Sequence, residues 1–93
     1  MNVTVEVSFS FKSDLVDHPV ILELTEGADV MAVLRALVAR HPQVSSRIFT
    51  DKGDVHPHIN VLKNGENVRF QRGFETALQD GDHLIIVPPV GGG

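Results

Sequence analysis

His56-Pro57-His58 is the one arrangement in this sequence with metal-ligand character, since alternate residues of an extended segment face the same way. A structural zinc site takes four protein ligands and a catalytic one takes three. No third ligand stands beside this pair, and a polar run into a strand explains it equally well, so no metal is expected. His18, His41 and His83 stand alone and read as surface residues. Ser8, Ser10, Ser13, Ser45 and Ser46 have no neighbouring base to activate them as nucleophiles. Asp14, Asp17, Asp51, Asp54, Asp80 and Asp82 sit in turn-like stretches, where a short carboxylate bonds nearby backbone amides. The chain has no cysteine, which removes disulfides, thiolate metal sites and thiol nucleophiles together. A glycine-rich phosphate loop is also missing, because the only glycine run is at the very end. By elimination, no side-chain active site is expected.

That end reads Pro88-Pro89-Val90-Gly91-Gly92-Gly93. Three glycines after a strand bury nothing and cost backbone entropy when ordered. One reading is a frayed terminus without a role. The other makes the free carboxylate of Gly93 the reactive group. A glycine-only end can be threaded through a narrow channel into a partner's active site, where side chains would obstruct it. The stiff Pro88-Pro89 pair would project such a tail away from the body.

The elements that must carry this tail follow from hydrophobic period. Val3, Val5, Val7, Phe9 and Phe11 alternate with Thr4, Glu6, Ser8, Ser10 and Lys12, the pattern of a half-buried strand. Ser13 to Pro19 reads as a turn, and Val20 to Thr25 as a second strand forming a hairpin with the first. Glu26-Gly27 breaks that strand, and Asp29 is placed to cap a helix. Val30, Val33, Leu34, Leu37 and Val38 recur at helical spacing, with Arg35 and Arg40 on the polar side, until Pro42 stops the helix. Val44 to Phe49 suits a short helical turn, and Asp51 to Asp54 a polar reversal. A third strand runs from His58 to Leu62. Asn64-Gly65 suits a type I′ turn, whose two central residues need positive φ. Asn67 to Phe70 is then expected as the return strand, and His83 to Val87 as the last, ended by Pro88-Pro89 because proline cannot continue a ladder. The predicted class is α+β: a mixed sheet of four to five strands with one main helix covering one face. If the first and last strands lie side by side at its centre, the fold is a β-grasp. Residues 1–88 form the predicted domain and 89–93 a flexible C-terminal tail.

A chain of 93 residues is one domain and can bury one core without disulfides or metal. Its net charge is −4, and its eight basic residues are scattered among twelve acids, which argues against a nucleic-acid footprint. No apolar run approaches the roughly 18–20 residues that cross a bilayer, and no basic-then-apolar leader opens the chain. The expectation is a cytoplasmic protein with neither nucleic-acid nor membrane partners.

The ending Pro88-Pro89-Val90-Gly91-Gly92-Gly93 resembles the terminus of the MoaD/ThiS-like family of ubiquitin-like sulfur carriers. Leu78-Gln79-Asp80-Gly81-Asp82-His83-Leu84 is similar to that family's approach to its last strand. Two further stretches, Met1 to Val5 and Asn67-Val68-Arg69-Phe70 followed by Gly73 and Thr76-Ala77-Leu78, resemble the CysO-like sulfur carriers of cysteine biosynthesis. The double proline is instead that of the molybdopterin branch, so the resemblance leaves the acceptor open between molybdopterin, cysteine and similar products. It implies the ubiquitin-like β-grasp and a protein co-substrate rather than an enzyme, or the small subunit of a sulfur-transfer enzyme such as molybdopterin synthase. An E1-like adenylyltransferase of the MoeB/ThiF type would use ATP to convert the Gly93 carboxylate to an acyl-adenylate. A sulfur donor would then displace AMP and leave a thiocarboxylate for a sulfur-acceptor enzyme, with Pro88 to Gly92 threaded into the partner. No cofactor is bound by the carrier itself. A ubiquitin-like modifier joined through Gly93 to target lysines is the alternative, and a non-covalent β-grasp adaptor a third reading.

Strand alternation also suggests a docking surface. If Leu84 and Ile86 point into the core, Ile85 and Val87 point to the open sheet face, joined there by Leu62. Apolar side chains beside the reactive tail would suit the activating enzyme. Alternatively, the middle of the chain folds over this face and buries it.

Overall fold

A computed structural model of the chain describes residues 1–7 and 19–87. Five strands form one sheet: β1 (Asn2–Val7), β2 (Val20–Glu23), β3 (Asn60–Lys63), β4 (Glu66–Asn67) and β5 (His83–Val87), in the order β2-β1-β5-β3-β4. β1 and β5 are parallel neighbours at the centre, with Val5 opposite Leu84 and Val7 opposite Ile86. The other pairings are antiparallel. The last strand therefore lies between the first and third, which is the β-grasp order.

The main helix α1 (Val30–Arg40) begins where Asp29 accepts a 3.0 Å hydrogen bond from the Ala32 amide. Such a cap satisfies one of the amides that the first helical turn leaves unpaired. It ends where the His41 amide donates to the Leu37 carbonyl and Pro42 follows. Val30, Val33, Leu34 and Leu37 are fully buried against Val3, Val5, Val61, Leu84 and Ile86 in one core. A 3₁₀ turn (Pro42–Val44) and the four-residue α2 (Ser45–Ile48) follow, adding Val44 and Ile48 to that core.

The Asn64-Gly65 turn has φ of 50° and 89° at its two central residues, so the positive-φ geometry expected from the pair is present. The return strand differs from expectation. β4 is only Glu66–Asn67, and Val68–Phe70 is a 3₁₀ turn. The cause is local, because the Asn67 side chain accepts from the Arg69 amide at 2.9 Å and caps a turn in place of a longer ladder. A further 3₁₀ turn, Gly73–Glu75, leads to Thr76 and Leu78, both buried. The second strand stops at Glu23, short of the expected Thr25. The continuation of the first strand to Phe11 lies outside the described residues.

Candidate C-terminal transfer site

Of the predicted site residues, the structure describes Leu62, Ile85 and Val87; Pro88 to Gly93 lie outside the described residues. Ile85 is the register partner of Glu6 on one side and of Leu62 on the other, and Val87 is opposite Asn60. Leu84 and Ile86 are fully buried, so the intervening Ile85 and Val87 belong to the opposite face, with Leu62 beside them. All three are half-buried rather than bare. Thr4, Glu6, His83 and Asn60 share this face by alternation, so the apolar group lies among polar neighbours.

His83 is not the isolated surface residue that its sequence context suggests. Its Nε2 lies 2.9 Å from Glu6 Oε2, across the central parallel pair. Seventy-seven residues separate the two, so only the β1–β5 pairing could have revealed the contact. His56 places Nε2 3.1 Å from the Ser46 carbonyl oxygen and His58 is exposed. Among the described residues no cluster of ligating side chains could hold a metal ion, and no helix is long and apolar enough to cross a membrane.

The start of β5 is built around Asp82, which is buried. Its carboxylate accepts from Asn64 Nδ2 at 3.0 Å and from the Gln79 amide at 2.8 Å, with Lys63 Nζ 4.0 Å away. Asn64 Oδ1 in turn accepts from the His83 amide at 3.0 Å. Asp80 accepts from the Asn2 amide at 2.7 Å, so the Asp80-Gly81-Asp82 turn is tied to β1 as well as to the β3–β4 hairpin. The turn role expected for these two aspartates is what their bonds provide. A cleft of about 410 Å³ between α1 and the 49–53 segment, lined by Arg35, Val38, Phe49 and Asp51 among others, shares no residue with the strand face.

Comparison with known proteins decides the family, since the ThiS family matches residues 12–93. The chain belongs to the ThiS family. Over 68 residues it is 47% identical to small archaeal modifier protein 3 of Haloferax volcanii, spanning 73% of each chain. It is 38% identical over 69 residues to the sulfur carrier protein CysO of Mycobacterium tuberculosis, spanning 72% of this chain and 74% of that one. The crystal structure of the small archaeal modifier protein SAMP1 from Haloferax volcanii superposes with a TM-score of 0.86 over the whole of both chains, at 33% identity. This ThiS family member is thus a ubiquitin-like β-grasp protein, and these relatives are named as carriers or modifiers.

Proposed function

We propose that this chain is a sulfur carrier that works through its C-terminal glycine. The Gly93 carboxylate attacks the α-phosphorus of ATP on an E1-like enzyme, releasing pyrophosphate and leaving an acyl-adenylate. A hydrosulfide equivalent displaces AMP and leaves a thiocarboxylate. That group is the better nucleophile and is delivered to a sulfur-acceptor enzyme. Pro88 to Gly92 thread the end into each partner, while Leu62, Ile85 and Val87 dock the body. The observation that carries this reading is the place of β5: it is a central strand, and the sequence passes from Val87 directly into Pro88-Pro89 and the glycines. A terminus that leaves a central strand is supported by the rigid sheet on both sides.

A second reading has its own support, in the 47% identity to an archaeal modifier protein. In it the ε-amine of a target lysine displaces AMP and an isopeptide bond forms. Intact-mass spectrometry of the protein recovered from its native cell, with a denaturing blot, separates the two. One oxygen exchanged for sulfur at Gly93 and no conjugates is the carrier outcome. Gly-Gly remnants on target lysines give the modifier, and an unaltered carboxylate with neither rejects both.

A further inference from the structure

An edge strand offers its outward amides and carbonyls to any other strand, that of a second copy included. The edges of this sheet are β2 and β4. β4 is two residues long and gives way to a 3₁₀ turn, which leaves little to pair with. β2 is four residues long, and its bonding to β1 fixes which of its groups face outward. Met1 and Leu24 exchange two hydrogen bonds, the Met1 ammonium donating to the Leu24 carbonyl at 2.7 Å and the Leu24 amide to the Met1 carbonyl at 2.8 Å. Bonded and non-bonded positions alternate along an antiparallel pair. Leu22 and Val20 therefore bond to β1, while Glu23 and Ile21 point their amides and carbonyls away from it. One of those outward groups is closed by a side chain. Arg40, in the last turn of α1, donates from Nη1 to the Ile21 carbonyl at 3.0 Å.

The outward row selects one way for a second copy to pair. With Ile21 opposite the second copy's Glu23, and Glu23 opposite its Ile21, each pair can exchange two hydrogen bonds and every outward group of β2 is used. Sliding one way sets Pro19, which has no amide hydrogen, opposite Glu23. Sliding the other way sets two Glu23 carboxylates directly opposite each other, which repel. The favoured register needs the Ile21 carbonyl of both copies, and that is the group Arg40 occupies. We propose that Arg40 is an edge guard: its guanidinium holds the β2 edge shut against antiparallel pairing with the β2 of a second copy. A charged donor on the outward carbonyl is replaced only by a neutral amide when the strands pair, so pairing loses on each side. The guard does not depend on the Gly93 reading, and it keeps the sheet of the single chain at five strands.

Sedimentation equilibrium of the full chain, with hydrogen exchange followed residue by residue, tests the guard. The unaltered chain is expected to sediment as a monomer up to the highest concentration loaded, with the Ile21 and Glu23 amides exchanging as open groups. Arg40→Ala is expected to dimerise at about a tenth of that concentration, because a charge-assisted hydrogen bond no longer competes on either side. Arg40 is exposed and alanine is the best helix former, so α1 keeps its last turn in this variant. In its dimer the Ile21 and Glu23 amides should slow about tenfold or more. Adding Ile21→Pro removes an amide that the β1 ladder does not use, and the double variant should return to monomer. An Arg40→Ala chain that stays monomeric overturns the guard, as does one that dimerises with the two amides still open. A double variant that remains dimeric, or an unaltered chain already paired through β2, overturns it as well.

Discussion

The two ends of β5 are held by different means. Its start, at His83, is gripped by side chains: Asp82 and Asn64 tie it to the β3–β4 hairpin, and Asp80 ties the preceding turn to β1. Its far end, at Val87, is paired through the register with Asn60, and the sequence then turns to two prolines, which have no amide hydrogen to offer a ladder. One end is anchored by a polar hub whose partners are 3 to 78 residues away in sequence. The other is the point from which the terminus departs. On the proposed reading, stability and function are separated along one five-residue strand, and mutations at its two ends should show this.

The largest effect is expected beyond the far end. Deleting Gly92 and Gly93 should abolish adenylation entirely, because the reacting carboxylate would sit short of the partner's active site. Glycine has no side chain to bury, and the 16 buried apolar side chains among the described residues build the core within Val3 to Ile86, so the melting temperature should not move. Parallel measurements of pyrophosphate exchange and thermal unfolding check both halves, and a truncated chain that unfolds would contradict the separation.

At the start of the strand the expectation reverses. Asp82→Ala removes a buried acceptor and leaves Asn64 Nδ2 and the Gln79 amide without their partner. Hydrogen bonds to a charged group are worth about 1.5–3 kcal/mol each in net terms, and part of the loss is recovered through water, so about 2–3 kcal/mol of destabilisation is expected. Urea unfolding gives the number, and Asp82→Asn should cost less because it keeps an acceptor oxygen. Adenylation of the folded fraction should be unaltered.

How much of this could be seen in the sequence follows the range of the interactions. Asp29, Pro42 and Asn64-Gly65 act within a few residues, so the helix limits and the hairpin turn were legible from residue types alone. The alternation of His83 to Val87 was legible too, and with it the facing of Leu84 and Ile86 inward. The 3₁₀ turn at Val68–Phe70 was not, since a run of Val, Arg and Phe reads as strand until the Asn67 cap is recognised as competing with the ladder. The Asp82–Asn64 and His83–Glu6 contacts join residues far apart in sequence, and no local pattern marks them. As for the proposed site, Gly91-Gly92-Gly93 lie outside the described residues, while the shared face of Leu62, Ile85 and Val87 follows from strand alternation.

A smaller effect is expected in the middle of the strand. Ile85 is half-buried between Glu6 and Leu62, so Ile85→Ala should cost about 1 kcal/mol, below the roughly 2–5 kcal/mol of a fully buried large-to-small change such as Leu84→Ala. On the proposed function its KM for the activating enzyme should rise, because the lost carbons belong to the proposed docking face. An unchanged KM would narrow that face to Leu62 and Val87.

The smallest effect should come from the ion pair that the described residues place on that face. The His83 and Glu6 side chains are 44% and 42% exposed, and an exposed pair contributes between nothing and about 1 kcal/mol once solvent screening and side-chain entropy are counted. Glu6→Gln keeps a hydrogen-bond acceptor within reach of His83 while removing the charge, so chemical denaturation should report a change of less than about 0.5 kcal/mol. The pair also spans the two central strands, and this gives the measurement its use. β1 and β5 already exchange a parallel ladder over four register positions and bury Val5 and Leu84 beneath it. If the ladder and the core hold the strands together, removing the charge will not be felt. A loss of 2 kcal/mol or more, against that expectation, would mean that the open face contributes to folding, and that the separation between the two ends of β5 is incomplete at its centre.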